Sequence, residues 1–197
     1  MSVVDRAKKL LVLGAMGIFV FCSMLVLSAS SSAPWHTAYV GIGAYPNDVG
    51  VDELADYEGY EFYEKVTGIE ISTNAVNGNY GVLEERNKYL SVLKDRYFEV
   101  VMESPWVIVR NAVMNFFQVY SVGHIAGGGW INLVMTFVGG MVVVFLVVTK
   151  QYVWLVATGL SAIGFVFYFP PIPAYNFSSY LLLVSGFIFG IEKLRSR

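Results

Sequence analysis

Long apolar runs without a single charge constrain this chain more than any other feature of its sequence. Four such runs occupy residues 10–28, 131–149, 152–169 and 174–191. The hydrocarbon core of a bilayer is about 30 Å thick, and a helix of about 20 apolar residues crosses it. The sequence therefore predicts a mainly α-helical membrane protein with four transmembrane helices.

The first run, residues 10–28, also fits a secretory signal peptide. Arg6, Lys8 and Lys9 precede it and small residues follow it, which is the order found in such signals. Its apolar run is nevertheless longer than the about 7 to 15 residues typical of a cleaved signal. We therefore expect the segment to be retained as a membrane anchor.

The composition excludes several classes of protein. Charged residues make up 14% of the 197 residues and hydrophobic residues 56%, whereas soluble domains carry about 25% charge. The formal net charge of −2 leaves no basic excess for binding nucleic acid. Cys22 is the single cysteine, and His36 and His124 are far apart in sequence, so neither a metal site nor a cofactor is predicted.

The positions of lysine and arginine predict the orientation in the membrane. The short segments 1–9, 150–151 and 192–197 hold seven of the 13 basic residues and two of the 15 acidic residues. Because basic residues in short segments favour the cytoplasmic side, we expect both termini, including the basic tail 192–197, to be cytoplasmic. Residues 29–130 then form an acidic domain on the outer side.

The outer region is predicted to be a small, mostly helical domain. Its first third is rich in glycine and proline and is predicted to be a loop. Helices are predicted for residues 52–66, ended by Gly68, and for residues 84–103, where apolar residues recur at helical spacing. Residues 74–81 form a turn-rich loop between these helices.

A further helix is predicted for residues 105–121, because Ser104 and Pro105 are a typical helix start. Its broad apolar surface and narrow polar stripe predict an interfacial helix, with the apolar face in lipid and the stripe towards water. Packing beneath the outer domain is the alternative. The stripe consists of Arg110, Asn111, Asn115 and Gln118.

The densest group of functional side chains in the sequence is a run of carboxylates. Asp52, Glu53 and Asp56 lie in this run of carboxylates, which either bind a cation or act as a base, or simply form a solvated helix face. His36 is predicted to lie near the outer membrane surface. Arg110 either binds a lipid phosphate or extends its charge to the interface. These five residues are the candidate outer-face binding residues, and no catalytic residue is assigned.

Small residues in the apolar runs predict close helix packing. Glycines at an interface let two backbones approach closely within a membrane. The candidates are Gly139, Gly140, Gly159 and Gly164. The packing partner is either another helix of this chain or a helix of another protein.

The outer region also carries a resemblance. The run from Pro34 to Gly43, with Asp52 and residues 56–60, resembles an extracytoplasmic segment of large bacterial membrane proteins related to the C-type glycosyltransferase superfamily. Residues 89–120, with Arg96, Pro105 and Arg110, are similar to the segment that precedes the last membrane helices of those proteins.

The resemblance implies a bacterial cytoplasmic (inner) membrane location, with the outer domain periplasmic or extracellular. It also implies sugar transfer from polyprenyl-phosphate lipids by an acidic residue in the first outer loop. Those enzymes have many more membrane helices, and catalysis is not carried over to Asp52, Glu53 or Asp56.

Two functions are consistent with these features. The first is a non-catalytic accessory or structural subunit that packs through its transmembrane helices against partner subunits of a larger membrane complex. It is favoured because the predicted membrane helices contain no charged residue. Charged residues within membrane helices usually mark transport or proton paths. The alternative is a polyprenyl-phosphate-dependent glycosyltransferase-like protein or half-enzyme.

Overall fold

The computed structural model describes residues 34–71, 83–163, 166–173 and 176–196. These residues form seven α-helices and no β-strand, so the predicted mainly helical class is confirmed. The predicted first membrane helix, residues 10–28, and the predicted loop 74–81 lie outside the described residues. The helices are α1 Pro34–Val40, α2 Asp56–Thr67, α3 Leu83–Glu103, α4 Pro105–Gln118, α5 Gly129–Val148, α6 Tyr152–Ala162 and α7 Phe177–Arg195.

The prediction of a loop at the start of the outer region is wrong. This stretch contains α1 and a following 3-10 turn, Gly41–Ala44. A seven-residue helix is not stable alone in water. Here α1 packs against α2 and α3, and Tyr39 and Val40 are buried in the core that these helices share. Tertiary burial therefore stabilises a helix that its composition does not predict.

Helix α2 begins at Asp56, four residues later than predicted. Residues 52 and 53 donate their backbone N–H groups to the Glu58 carboxylate, at 3.2 and 3.1 Å, so the preceding chain folds back over the first turn. At the other end Gly68 adopts the left-handed conformation, with φ of 69°, and donates its N–H to Glu64 O. A glycine in this position stops a helix, as the sequence predicted.

Helices α3 and α4 match the predicted positions closely, although α4 ends at Gln118 and not at residue 121. The polar stripe of α4 differs from the prediction, since three of its four residues are buried and Arg110 is partly exposed. Asn111, Asn115 and Gln118 are at most 4% exposed, whereas Trp106 is 72% exposed.

The inward direction of this stripe follows from the hydrogen bonds that it makes. Asn111 donates to Ile42 O and Asn115 donates to Val166 O, both at 3.0 Å, and Gln118 donates to Asn132 O at 2.8 Å. Buried backbone carbonyls need partners, and in α4 the side-chain amides supply them. The expectation that Gln118 faces water is therefore wrong.

Two of the described helices, α5 and α7, are long and apolar enough to cross a membrane. They occupy positions close to the predicted segments 131–149 and 174–191. The predicted helix 152–169 is shorter than expected, because α6 ends at Ala162. Its 11 residues extend about 16 Å, roughly half of the hydrocarbon thickness.

Residues 166–168, which follow α6, contact α4 and the 3-10 turn that follows α1. Val166 O accepts the bond from Asn115, and the carbonyl of Tyr168 lies against Gly41, where a Cβ atom would overlap it. These contacts come from residues distant in sequence, which is why the apolar pattern alone predicts a longer helix.

Candidate functional site

His36 and Asp56, two of the predicted binding residues, lie together in the structure. His36 Nε2 is 3.2 Å from Asp56 Oδ1, and His36 Nδ1 is 2.5 Å from the Tyr89 hydroxyl oxygen. The Tyr60 ring stacks on the imidazole with centroids 5.5 Å apart. We call His36, Asp56, Tyr60 and Tyr89 the His36 cluster, and it joins α1, α2 and α3.

Gly59 makes the close approach within the His36 cluster possible. A Cβ atom at this position would lie 2.6 Å from the Tyr89 hydroxyl oxygen and 3.0 Å from His36 Nδ1. Both distances are shorter than van der Waals contact. Helix α2 therefore needs glycine here, although glycine costs about 1 kcal/mol relative to alanine inside a helix.

Two of the four residues of the His36 cluster are buried. The Asp56 side chain is 77% exposed, whereas His36 and Tyr89 are 8% and 2% exposed. Burial is the largest cause that raises the pKa of the Tyr89 phenol far above its usual value, so this tyrosine stays neutral and keeps a hydroxyl hydrogen that it can donate.

Both ring nitrogens of His36 have a hydrogen-bond partner, Tyr89 at Nδ1 and Asp56 at Nε2. A general base needs a free lone pair within reach of the proton that it takes. The cluster therefore fits a connection between three helices better than a catalytic base.

Asp52 and Glu53 are not brought to His36 by hydrogen bonds. Their backbone N–H groups bind Glu58, and the Glu53 carboxylate accepts the hydroxyl of Tyr57 at 2.8 Å. This hydrogen bond is the largest cause that raises the pKa of Tyr57 to about 12. Within the described residues no group of three or more histidine, cysteine, aspartate or glutamate side chains is placed to hold a metal.

Arg110 lies on α4, apart from the His36 cluster. Its Nη2 and Nε atoms donate to Asn111 Oδ1, at 3.0 and 3.3 Å. The side chain of Asn111 in turn binds Ile42 O. The hydrogen bonds of Arg110 therefore support the polar stripe of α4 and do not connect this residue with His36 or Asp56.

The predicted packing glycines have different surroundings. A Cβ atom on Gly139 would overlap the Phe117 carbonyl, and one on Gly159 would lie 2.7 Å from the Tyr120 hydroxyl oxygen. A Cβ atom on Gly140 would have Phe117 Cδ1 at 3.9 Å as its nearest neighbour, which is ordinary contact. Gly164 lies outside the described residues. Gly139 and Gly159 are thus in contact with other segments of the same chain.

Sequence reasoning missed Tyr89 and Gly59. The sequence does contain a signal for Gly59, since an isolated glycine inside a helical pattern often marks close packing. Tyr89 had none, because it lies on the apolar stripe of α3 like any other core residue.

A shallow cleft between α1, α3 and α4 contains about 10 Å³, which is room for one water molecule. Its lining includes Tyr97 and Asn111. The cleft is too small for a sugar or a lipid headgroup.

No protein-family model, no curated protein and no solved structure matches the chain. The assignment of a function therefore depends on the residues of the chain itself.

Proposed function

We propose that this chain is a non-catalytic accessory subunit of a larger bacterial membrane complex. In this proposal α5 and α7 cross the inner membrane, and the chain between them, which includes α6, returns from the cytoplasmic to the outer side. Helices α1, α2 and α3 lie on the periplasmic or extracellular face. The protein acts by binding partner subunits through its apolar surface.

The observation that carries the proposal is the outward direction of the apolar side chains on α4, α5 and α7. Contiguous apolar patches larger than a few hundred Å² are rare on soluble monomers and mark protein or membrane contacts. At the same time three polar side chains of α4, those of Asn111, Asn115 and Gln118, are buried, the reverse of a helix on a soluble domain. The exposed residues include Trp106, Val109, Val113, Phe137, Met141, Val144, Leu181, Val184 and Ile188.

The positions of the glycines locate the surface that remains for a partner. Gly139 and Gly159 are already covered by Phe117 and Tyr120 of the same chain. Phe137, Met141 and Val144 are 68%, 50% and 60% exposed, and their spacing places them on one face of α5. This face is where we propose that a partner helix packs.

The test uses a photo-crosslinking amino acid placed at Phe137 or at Val144 in the full chain, expressed in its native membrane. We expect both positions to crosslink to the same protein in comparable yield. The control is Glu61, an exposed position of α2, where we expect no crosslink to that protein. Crosslinks from α5 to lipid alone would contradict the proposal.

A second candidate is sugar transfer from a polyprenyl-phosphate lipid, favoured by the His36–Asp56 contact at 3.2 Å. Imidazole held by a carboxylate is a common arrangement of general bases. It is the weaker candidate, since both imidazole nitrogens are already engaged.

Purified protein distinguishes the two functions. Mass spectrometry of the isolated chain detects any retained polyprenyl phosphate, and its presence would favour the transferase. Loss of function in an Asp56→Asn variant that still assembles would favour the transferase as well. Unchanged function in that variant supports the accessory role.

A further inference from the structure

Several buried polar side chains meet where the α4–α5 connection contacts the segment between α6 and α7. We call Gln118, His124, Asn132, Pro171 and Asn176 the polar junction. The four residues with polar side chains, Gln118, His124, Asn132 and Asn176, are at most 3% exposed.

Two carbonyl groups organise the polar junction. Pro171 O accepts the backbone N–H of His124 at 2.9 Å and the side-chain amide of Asn176 at 3.1 Å. Gln118 Nε2 donates to Asn132 O at 2.8 Å. Asn132 also exchanges two hydrogen bonds with the backbone of Ile125, each 2.9 Å long. The segments are thus fixed relative to one another by several bonds.

The tautomer of His124 follows from its neighbour. Asn132 Nδ2 lies 3.4 Å from His124 Nε2, and an amide nitrogen is a donor only. Nε2 must therefore accept, which places the hydrogen of a neutral imidazole on Nδ1. Burial lowers the pKa of His124 to about 4, so the ring is neutral near pH 7.

Three polar atoms of the junction have no hydrogen-bond partner among the described residues: Gln118 Oε1, His124 Nδ1 and Asn176 Oδ1. The first and third are acceptors, and the second is a donor in the tautomer that Asn132 selects. A buried polar atom that remains unpaired costs about 1–3 kcal/mol. Leaving three unpaired would use a large part of the stability of a typical domain.

We propose that the polar junction binds a neutral hydroxyl group, which accepts a hydrogen bond from His124 Nδ1 and donates one to Asn176 Oδ1 or Gln118 Oε1. A hydroxyl fits because one oxygen atom both accepts and donates. The side chains of the junction carry no charge, so an ion has no counter-charge there. The hydroxyl belongs either to an internal water molecule or to the alcohol or sugar headgroup of a lipid.

The experiment is nuclear magnetic resonance of the full chain labelled with ¹⁵N-histidine. The chain has two histidines, so a His36→Gln variant assigns both signals. The protein is extracted in a detergent without hydroxyl groups and compared before and after removal of lipid. We expect the His124 signals to be those of a neutral ring with its hydrogen on Nδ1. If the hydroxyl belongs to water, these signals should be the same before and after lipid removal.

Cross-peaks from this hydrogen identify the source of the hydroxyl. A cross-peak to water that persists after lipid removal shows an internal water molecule. A cross-peak to carbon-bound hydrogens of a lipid headgroup, lost on lipid removal, shows the second source. Hydrogen on Nε2, a charged ring, or cross-peaks to protein hydrogens alone would overturn the proposal.

Discussion

At the scale of single residues, Gly139 and Gly140 provide a matched pair, since they are neighbours in the same helix. A Cβ atom on Gly139 would overlap the backbone of Phe117, whereas one on Gly140 meets a single side-chain atom at 3.9 Å. We expect Gly139→Ala to destabilise the protein by about 1–3 kcal/mol, as overpacking does.

The same change at Gly140 is expected to be neutral or to stabilise by up to about 1 kcal/mol, because alanine is the better helix former. Thermal unfolding in detergent compares the two variants. Equal effects at both positions would show that α4 does not pack on Gly139.

The hydroxyl of Tyr89 has a measurable role in the His36 cluster. In a Tyr89→Phe variant His36 Nδ1 loses its partner at 2.5 Å and stays buried, which costs about 1–3 kcal/mol. Tyr57→Phe is the control, because that hydroxyl binds Glu53 at the exposed surface, where we expect less than about 0.5 kcal/mol. A Tyr89→Phe variant as stable as the control would contradict the role of the cluster as a connection.

The neutral state of His124 predicts a pH dependence. Its folded pKa is about 4 and that of an unfolded histidine is about 6.5. Between these values the unfolded chain binds more protons than the folded one, so stability falls as the pH falls. From pH 7 to pH 5 we expect a loss of about 2 kcal/mol.

The loss is measured as a lower unfolding temperature at pH 5 than at pH 7. In a His124→Asn variant the difference between the two pH values should shrink, whatever the absolute stability of the variant. The same difference in both proteins would assign the effect to another group.

At the scale of elements, α4 exposes its apolar face, whereas most of its polar stripe is buried. Spin labels at Val109 and Val113, each about half exposed, should be accessible to oxygen and protected from a water-soluble relaxation agent. A label at Asp95, an exposed position of α3, should show the opposite. Access of the water-soluble agent to Val109 and Val113 would place the outer face of α4 in water.

At the scale of the whole molecule, the basic residues still predict the topology. The native Cys22 is replaced by serine, and single cysteines are placed at Glu61, Lys150 or Ser196. A membrane-impermeant thiol reagent applied from outside should modify the cysteine at position 61. It should spare the cysteines at positions 150 and 196, because basic segments stay in the cytoplasm. Modification of position 150 without position 61 would reverse the orientation.

The sequence by itself determined the features that depend on neighbouring residues. The helical class follows from apolar residues at helical spacing, and Gly68 and Pro105 mark helix ends because their backbones favour those positions. The long apolar runs of α5 and α7 likewise follow from length and composition alone. Each of these signals lies within a few residues of the element that it describes.

Tertiary structure decided the features that depend on distant residues. Tyr89 lies 53 positions from His36, and Asn115 lies 51 positions from Val166. Helix α1 exists because α2 and α3 bury it, and most of the polar stripe of α4 turns inward because distant carbonyls need donors. After α6, the backbone of Tyr168 packs on Gly41. A local pattern contains no information about these pairings, since hydrogen bonds between distant residues form only when the chain folds.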